Sequence, residues 1–209
     1  DLMSPLWIKI CGMMTVQAIE AASEAGAQAV GFVFYEASPR NLSLEAAAAL
    51  QAPVPAGVDR VAVFLHPAQA LVDAVIERLR PDWIQADHAD LRALTLPAQQ
   101  QVLPVLRSGG PWPQPLPARV LVESARSGMG EPADWESAAG LASETELVLA
   151  GGLSASNVGE AVRRVRPFGV DVSSGVELRR GVKDPGLIRE FIETARLASV
   201  QAAREKAGR

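Results

Sequence analysis

The chain has 209 residues, of which 48% are hydrophobic, and a net charge of −4 with charges of both signs interspersed. This is enough apolar material for a full core, either in one large α/β domain or in two small ones. The charge balance argues against nucleic acid or a membrane surface as a partner. One cysteine excludes an internal disulfide and, with only two histidines beside it, we expect no metal site.

The chain contains no apolar run of about 18 residues, and its first four residues do not form a signal peptide. We therefore expect a cytoplasmic protein whose partner is a small-molecule substrate. The sequence leaves open whether it is a monomer or a homodimer.

The first apolar run, residues 7–11, predicts a strand that ends at the only cysteine. Its alternation places Lys9 and Cys11 on one face and Ile8 and Ile10 on the other. We expect the isoleucines to face packed helices, with lysine and thiol together on the opposite side. An ammonium group beside a thiol favours the ionised form of the thiol. The alternative is that Cys11 is simply a small buried hydrophobic residue.

Strand and helix patterns alternate along the rest of the chain. Further strands are predicted at 29–34, 60–65, 82–85, 102–106, 119–123, 147–150 and 168–172. Helices are predicted between Thr15 and Gly26, from Ser43, and at 67–80, 89–94, 134–143, 154–166 and 184–198. Glycines and prolines between 108 and 117 predict a loop or a single turn there.

Eight strands alternating with seven or eight helices predict one (β/α)8 TIM barrel over residues 1–209, with helix 5 short or missing. A doubly wound open sheet is the alternative. It would usually carry a glycine fingerprint after the first strand, and the sequence CGMM at 11–14 is not one.

Two strand ends are suited to a phosphate group. The seventh strand leads into Gly151 and Gly152, and the eighth into Ser173, Ser174 and Gly175. Backbone amides, hydroxyls and a helix N-terminus bind phosphate, and barrels often place a phosphate site after these two strands. Ordinary turns explain either loop alone, but the pair in these two places favours phosphate.

Other polar residues are predicted at the same end of the barrel. Asp171 is inward on strand eight and can reach Lys9 on the neighbouring first strand, either as a structural pair or as part of the site. Glu123 ends strand six, roughly across from Cys11, which suggests a general acid and a general base. Arg40 follows strand two and offers a guanidinium group for a carboxylate or phosphate.

Several segments together resemble one known family. They are KICG at 9–12, GFVF at 31–34 with SPR at 38–40, LAGGL at 149–153 with NV at 157–158, and GVDVSSGVE at 169–177 with GVKD at 181–184. In this order they are similar to the phosphoribosylanthranilate isomerases of tryptophan biosynthesis, over nearly the whole chain.

The resemblance implies an Amadori rearrangement of N-(5-phosphoribosyl)anthranilate that needs no cofactor. The family's acid protonates the ribose ring oxygen, the ring opens to a Schiff base, and a cysteine removes the C2′ proton to give 1-(2-carboxyphenylamino)-1-deoxyribulose 5-phosphate. It implies that Cys11 is the general base and that Arg40 holds the anthranilate carboxylate. The loops at 151–152 and 173–175 would hold the phosphate.

The chain departs from this family at the predicted acid. The family has an aspartate at the end of strand six, before a Gly-x-Gly loop, whereas this chain has Glu123 before Gly128 and Gly130. By the resemblance Glu123 is the acid, and both glycines join the phosphate site. The extra methylene group moves the proton donor, and a misplacement of about 1 Å can cost about 100-fold in rate.

After strand four the family usually has Gln-Leu-His-Gly, whereas residues 85–88 read QADH. Gln85 therefore carries over to substrate binding, to which we also assign Lys9 and Asp171. His88 is one position late and does not carry over. We expect His66 and His88 to be packing or surface residues.

Two alternatives to the isomerase stay open. One is another sugar-phosphate barrel, such as a relative of indole-glycerol-phosphate synthase, although we cannot place the catalytic lysine and glutamate expected for that reaction. The other is a barrel that binds a sugar phosphate without turnover, because of the changed acid. Turnover of phosphoribosylanthranilate separates the isomerase from both.

Overall fold

Eight parallel strands close into a barrel in this computed structural model, which describes residues 6–124 and 133–207. Each strand pairs with the next in the chain, and the first pairs with the eighth. The predicted TIM barrel is therefore confirmed. The strands are β1 (Trp7–Cys11), β2 (Ala29–Phe34), β3 (Asp59–Phe64), β4 (Trp83–Asp87), β5 (Gln101–Arg107), β6 (Arg119–Glu123), β7 (Glu146–Leu149) and β8 (Gly169–Val172).

Seven α-helices surround these strands in the described part of the chain. They are α1 (Val16–Glu24), α2 (Leu44–Gln51), α3 (Gln69–Leu79), α4 (His88–Ala93), α5 (Trp135–Leu141), α6 (Val158–Val165) and α7 (Pro185–Ala207). Residues 108–118, between β5 and β6, contain no helix, as predicted. Among the described helices, none combines the length and apolarity required to cross a membrane.

The alternation predicted for β1 sorts its residues between two cores. Ile8 and Ile10 are fully buried in the layer between the barrel and the helices. Trp7 belongs to the cluster inside the barrel. Lys9 and Cys11, two and four residues further along, continue on this inner face and are also buried. The strand therefore delivers a lysine and a thiol to the interior.

Three helices have an N-cap at the residue where the sequence predicts that they start. The side chain of Thr15 accepts a hydrogen bond from the backbone N–H of Ala18, and Ser43 does the same for Ala46. Asp134 accepts from two backbone N–H groups at the start of α5. These bonds satisfy backbone donors that the first turn of a helix leaves unpaired.

Other boundaries differ from the prediction. α6 begins at Val158 instead of 154, because the side chain of Asn157 accepts a hydrogen bond from the Ser154 N–H and closes a turn before the helix. β5 runs through Pro104 as far as Arg107, one residue beyond the predicted end. α7 continues to Ala207, since its last residues, including two alanines, Arg204 and Glu205, are good helix formers.

The segment after β8 was not predicted. A 3-10 turn at Ser174–Val176 is followed by two short antiparallel strands, β9 (Glu177–Arg179) and β10 (Val182–Lys183). This hairpin folds back over the carboxyl-terminal end of the barrel. It thereby brings Glu177 and Lys183 to the mouth where the first eight strands end.

The opposite, amino-terminal end of the barrel is closed by an arginine among aromatic rings. The guanidinium carbon of Arg119 lies 4.3 Å from the ring centre of Phe168 and 4.8 Å from that of Trp83. Its Nη2 atom is 2.7 Å from Oε2 of Glu146. Arg119 therefore lies below the barrel interior, paired with a carboxylate and packed against aromatic rings.

Candidate active site

A cavity of about 350 Å³ opens at the carboxyl-terminal ends of the strands. Its lining includes most of the residues predicted to act on a substrate, namely Cys11, Arg40, Gln85, Glu123, Asp171 and Ser173. Cys11 and Glu123, which lie on β1 and β6, thus border the same space. The predicted convergence of these side chains is what the fold produces.

A smaller cavity of about 50 Å³ adjoins the first. Its lining includes Gly151, Gly152, Ser173 and Ser174 from the loops after β7 and β8. The remaining residue predicted for phosphate in these two loops, Gly175, is where they touch, because a Cβ atom there would lie 1.9 Å from the carbonyl oxygen of Leu153. Glu123, Asp171 and Ser173 line both cavities. One molecule could therefore occupy both spaces.

Lys9 and Asp171 form a buried ion pair inside the barrel, with Nζ 2.8 Å from Oδ1. The prediction that both side chains point inward and lie close together is confirmed. Burial alone would lower the pKa of Lys9, but the negative charge of Asp171, joined by that of Cys11 when the thiol ionises, holds that pKa above its ordinary value. Lys9 is therefore a cation at neutral pH.

Cys11 is buried next to this ion pair. Burial raises the pKa of its thiol, and the opposing attraction of Lys9 does not cancel the effect, partly because Asp171 repels a thiolate. Lys9 does favour the ionised thiol, as expected, but it does not bring the pKa of Cys11 below that of a free cysteine. Gly31 makes room here, since a Cβ atom at that position would lie 2.9 Å from the sulfur.

Arg40 already has a carboxylate partner within the protein. Its Nε and Nη2 atoms donate to the two carboxylate oxygens of Glu177, at 2.7 and 2.9 Å. Lys183 donates to Glu177 at 2.7 Å and to the carbonyl oxygen of Ser173 at 2.9 Å. Burial would raise the pKa of Glu177, but these two cations lower it to about 2. The hairpin of β9 and β10 therefore fixes Arg40 against the cavity.

Glu123 is held from the side by an arginine that the sequence analysis missed. Nη1 of Arg107 donates to Oε1 of Glu123, and Nη2 of Arg107 donates to Oδ1 of Asp87. Each of these side chains is at least three-quarters buried. Arg107 is opposite Glu123 in the register of β5 and β6. An extension of the alternation in β5 by one residue would have found it.

Gln85 lies on β4 and faces the larger cavity. Its Oε1 atom is buried and has no hydrogen-bond partner in residues 6–124 and 133–207. Burying a carbonyl oxygen without a hydrogen-bond donor costs free energy, because the oxygen loses the hydrogen bonds that it would make with water. Gln85 therefore has an acceptor to offer to a donor group on a bound molecule.

One group of side chains in the described segments could ligate a metal ion. Ligand atoms of His66, Asp87 and Asp90 lie within 4.8 Å of one another. His66 is a surface residue, as expected, because its ring is largely exposed; its Nδ1 atom lies 3.1 Å from Asp90. Asp87 is bound to Arg107. These three residues therefore already pair within the protein.

Gly128 and Gly130, which were predicted for the phosphate site, lie outside the described residues.

A cavity of about 530 Å³ opens at the amino-terminal end of the barrel, between α2, β3 and α3. Its two arginines, Arg60 and Arg78, pair with Asp82 and Glu45. It contains none of the predicted site residues, so the chemistry belongs to the carboxyl-terminal end.

The family model and the sequence relatives of this chain identify one family. The family model for N-(5'phosphoribosyl)anthranilate (PRA) isomerase matches residues 8–194. An N-(5'-phosphoribosyl)anthranilate isomerase of Rhodopseudomonas palustris is 39% identical to this chain, and the alignment covers 91% of this chain and 98% of that protein. That of Paracoccus denitrificans is 40% identical, covering 90% of this chain and 96% of its own.

Solved structures agree with the sequence relatives. The phosphoribosyl anthranilate isomerase of Thermus thermophilus superimposes with a TM-score of 0.79 at 29% identity, covering 93% of this chain and 100% of its own. A second, with a TM-score of 0.75 at 29% identity, covers 91% of this chain and 98% of its own; it was solved with reduced 1-(o-carboxyphenylamino)-1-deoxyribulose 5-phosphate. The chain belongs to the family of N-(5'-phosphoribosyl)anthranilate isomerases, enzymes of tryptophan biosynthesis.

Proposed function

We propose that this barrel converts N-(5'-phosphoribosyl)anthranilate to 1-(2-carboxyphenylamino)-1-deoxyribulose 5-phosphate, with Glu123 as general acid and Cys11 as general base. Glu123 gives a proton to the ribose ring oxygen, the bond from that oxygen to C1′ breaks, and a Schiff base forms between C1′ and nitrogen. Cys11 then takes the proton from C2′ in its thiolate form, which the charges of Lys9 and Lys183 favour against burial. The electrons of that C–H bond form an enolamine, which tautomerises to the ketone.

The observation that carries this proposal is the shape of the paired cavities. Glu123 and Asp171 line both spaces, so they mark the junction between them. In the substrate the ribose joins the phosphate to the anthranilate ring. With phosphate in the smaller cavity and anthranilate in the larger one, the ribose lies at this junction, where Glu123 and Cys11 can reach it.

The smaller cavity supports the phosphate assignment. Gly151, Gly152, Ser173 and Ser174 line it with backbone amides and hydroxyl groups, which are the usual partners of a phosphate in this part of a barrel. Asn157 donates to the carbonyl oxygen of Gly152 at 2.8 Å and so orders the loop. The contributions of Gly128 and Gly130 stay predictions.

The larger cavity supports the anthranilate assignment. Arg40 donates one hydrogen bond from Nε and one from Nη2 to Glu177. Because a guanidinium group has five N–H donors, others are left for the anthranilate carboxylate. Gln85 offers its unpartnered carbonyl oxygen to a donor on the substrate, such as the amine or a ribose hydroxyl. Lys9 supports Cys11 electrostatically through the charge that it retains.

The test is a kinetic comparison of Cys11→Ser, Glu123→Gln and Glu123→Asp with phosphoribosylanthranilate. General acid–base groups contribute about 100- to 10,000-fold each, so we expect kcat of the first two variants to fall in that range. KM should change little, because each group acts in the transition state. Glu123→Asp should retain more activity than Glu123→Gln, since it retains a proton donor.

Binding of the reduced product analogue by each variant is the control for an intact site. A near-normal kcat for Glu123→Gln would mean that another group is the acid. A near-normal kcat for Cys11→Ser would mean that the thiol only packs. The cytoplasmic location, the oligomeric state and the assignment of the whole chain to one domain also stay predictions.

A further inference from the structure

Three charged residues on neighbouring strands form a chain at the barrel mouth. Asp87 ends β4, Arg107 ends β5 and Glu123 ends β6. The guanidinium group of Arg107 lies between the two carboxylates and donates one nitrogen to each. Of the three, only Glu123 is among the described residues that line the substrate cavities. Arg107 and Asp87 therefore lie beside the proposed acid, on the neighbouring strands, and line neither of these two cavities.

The geometry of arginine makes this arrangement directional. A guanidinium group is planar, and its N–H donors point along fixed directions in that plane. Once Asp87 holds one nitrogen, rotation of the plane is restricted, and the direction of the other nitrogen is set. Hydrogen bonds in which the donor or the acceptor is ionised are about twice as strong as neutral ones. The charged guanidinium group therefore holds both side chains firmly, including Glu123 when its other oxygen carries the proton.

Glu123 is a side chain that needs such a restraint. It has one more rotatable bond than an aspartate, and its carboxyl group can therefore occupy more positions at the cavity wall. The Arg107 contact selects the positions in which Oε1 faces β5. Glu123 also lines both cavities, so the carboxyl group that Arg107 contacts lies at the edge of the substrate space.

We propose that Arg107 is a positioning residue for the acid: anchored by Asp87, it holds the carboxyl group of Glu123 toward the ribose. The inference rests on the proposed role of Glu123. It explains how a barrel with the longer acid keeps its proton donor in place. Asp87 acts one step further back, as the anchor of Arg107.

The experiment is a double-mutant cycle between Arg107→Met and Glu123→Gln, with kcat and KM measured in single-turnover and steady-state reactions. In the parent protein, Arg107→Met should lower kcat by about 10- to 100-fold, as expected for a misplaced catalytic group, with little change in KM. In the Glu123→Gln background the same change should have almost no further effect, because no acid is left to position.

Two further variants keep the test decisive. Arg107→Lys retains the charge but is a single point donor, so its kcat should lie between those of the parent and Arg107→Met, and it serves if Arg107→Met does not fold. Arg119→Met is the matched control. It removes the arginine that starts β6, at the other end of the strand from Glu123, and should leave kcat unchanged.

The outcomes separate this inference from the function itself. A normal kcat for Arg107→Met would overturn it. An equal loss of kcat in both backgrounds would also overturn it, because that pattern indicates a general structural role. If Glu123→Gln alone retains kcat, the acid assignment fails and takes this inference with it. A loss confined to the parent background supports it.

Discussion

The two ends of the barrel treat their buried charges in different ways. At the amino-terminal end, Arg119 is enclosed by aromatic rings and pairs with one carboxylate, Glu146. At the carboxyl-terminal end, Arg107 is shared between two carboxylates, and Glu177 between two cations. A one-to-one pair under aromatic rings serves stability, whereas shared charges around a cavity hold side chains in defined positions for a substrate.

The largest expected loss of stability comes from breaking the buried ion pair between Lys9 and Asp171. Lys9→Met leaves Asp171 buried without its partner, and removal of one member of a buried pair destabilises a protein by about 3–5 kcal/mol. Urea unfolding followed by circular dichroism measures this loss. Lys9→Met combined with Asp171→Leu should recover much of it, because neither charge is then left unpaired.

Arg60→Met is the matched control for this pair. Arg60 contacts Asp82 at the amino-terminal end, and both side chains are about one-third exposed. Exposed ion pairs contribute about 0–1 kcal/mol, so this variant should unfold close to the parent. Equal losses for Lys9→Met and Arg60→Met would break the distinction between the interior and the surface.

A smaller loss of stability is expected at the amino-terminal end. Arg119→Met removes a cation from three aromatic rings and an ion pair with Glu146, which together contribute about 1–2 kcal/mol. In a chain of this size that corresponds to a decrease in Tm of about 2–8 °C. Thermal unfolding measures it, and kcat measured alongside should not change. A large drop in kcat would show that this end also serves the reaction.

The smallest expected effect concerns the reactivity of the thiol. The raised pKa of Cys11 means that the thiolate fraction at neutral pH is lower than that of a free cysteine, and that it grows as pH rises through and beyond the ordinary thiol range. Alkylation by iodoacetamide should therefore still accelerate above pH 9, where a free thiol with a pKa of about 8.5 is already largely ionised. Mass spectrometry reports on Cys11 alone, because the chain has one cysteine.

Lys9→Met should slow this alkylation further, since Lys9 is the main group that stabilises the thiolate. A plateau in the alkylation rate near pH 7 in the parent protein would contradict the raised pKa. It would indicate that the two positive charges of Lys9 and Lys183 outweigh burial at the sulfur.

Local patterns in the sequence were enough to predict the barrel and much of its mouth. Alternation in β1 and β8 placed Lys9 opposite Asp171, because a period of two fixes the face of each side chain and a closed barrel makes these strands neighbours. The helix starts at Thr15 and Ser43 were also predictable, because each cap bond joins residues only three positions apart.

Contacts made by segments that lack a regular apolar pattern were not predictable in this way. Glu177 reaches Arg40 across 137 positions of the chain, through a hairpin that has no alternating apolar pattern. The net pKa direction of Cys11 depends on burial balanced against three charges, and a sequence shows the charges without their distances. Arg107 was missed for a simpler reason, since strand five was predicted to end one residue before it.

The most direct test of the central claim is a crystal structure of this protein with reduced 1-(o-carboxyphenylamino)-1-deoxyribulose 5-phosphate. We predict the phosphate against Gly151, Gly152 and Ser174, and the sugar chain between Cys11 and Glu123. The sulfur of Cys11 should lie within about 3–3.5 Å of C2′, the carbon from which the base takes its proton. A phosphate bound at another strand end, or a sugar out of reach of both side chains, would contradict the account.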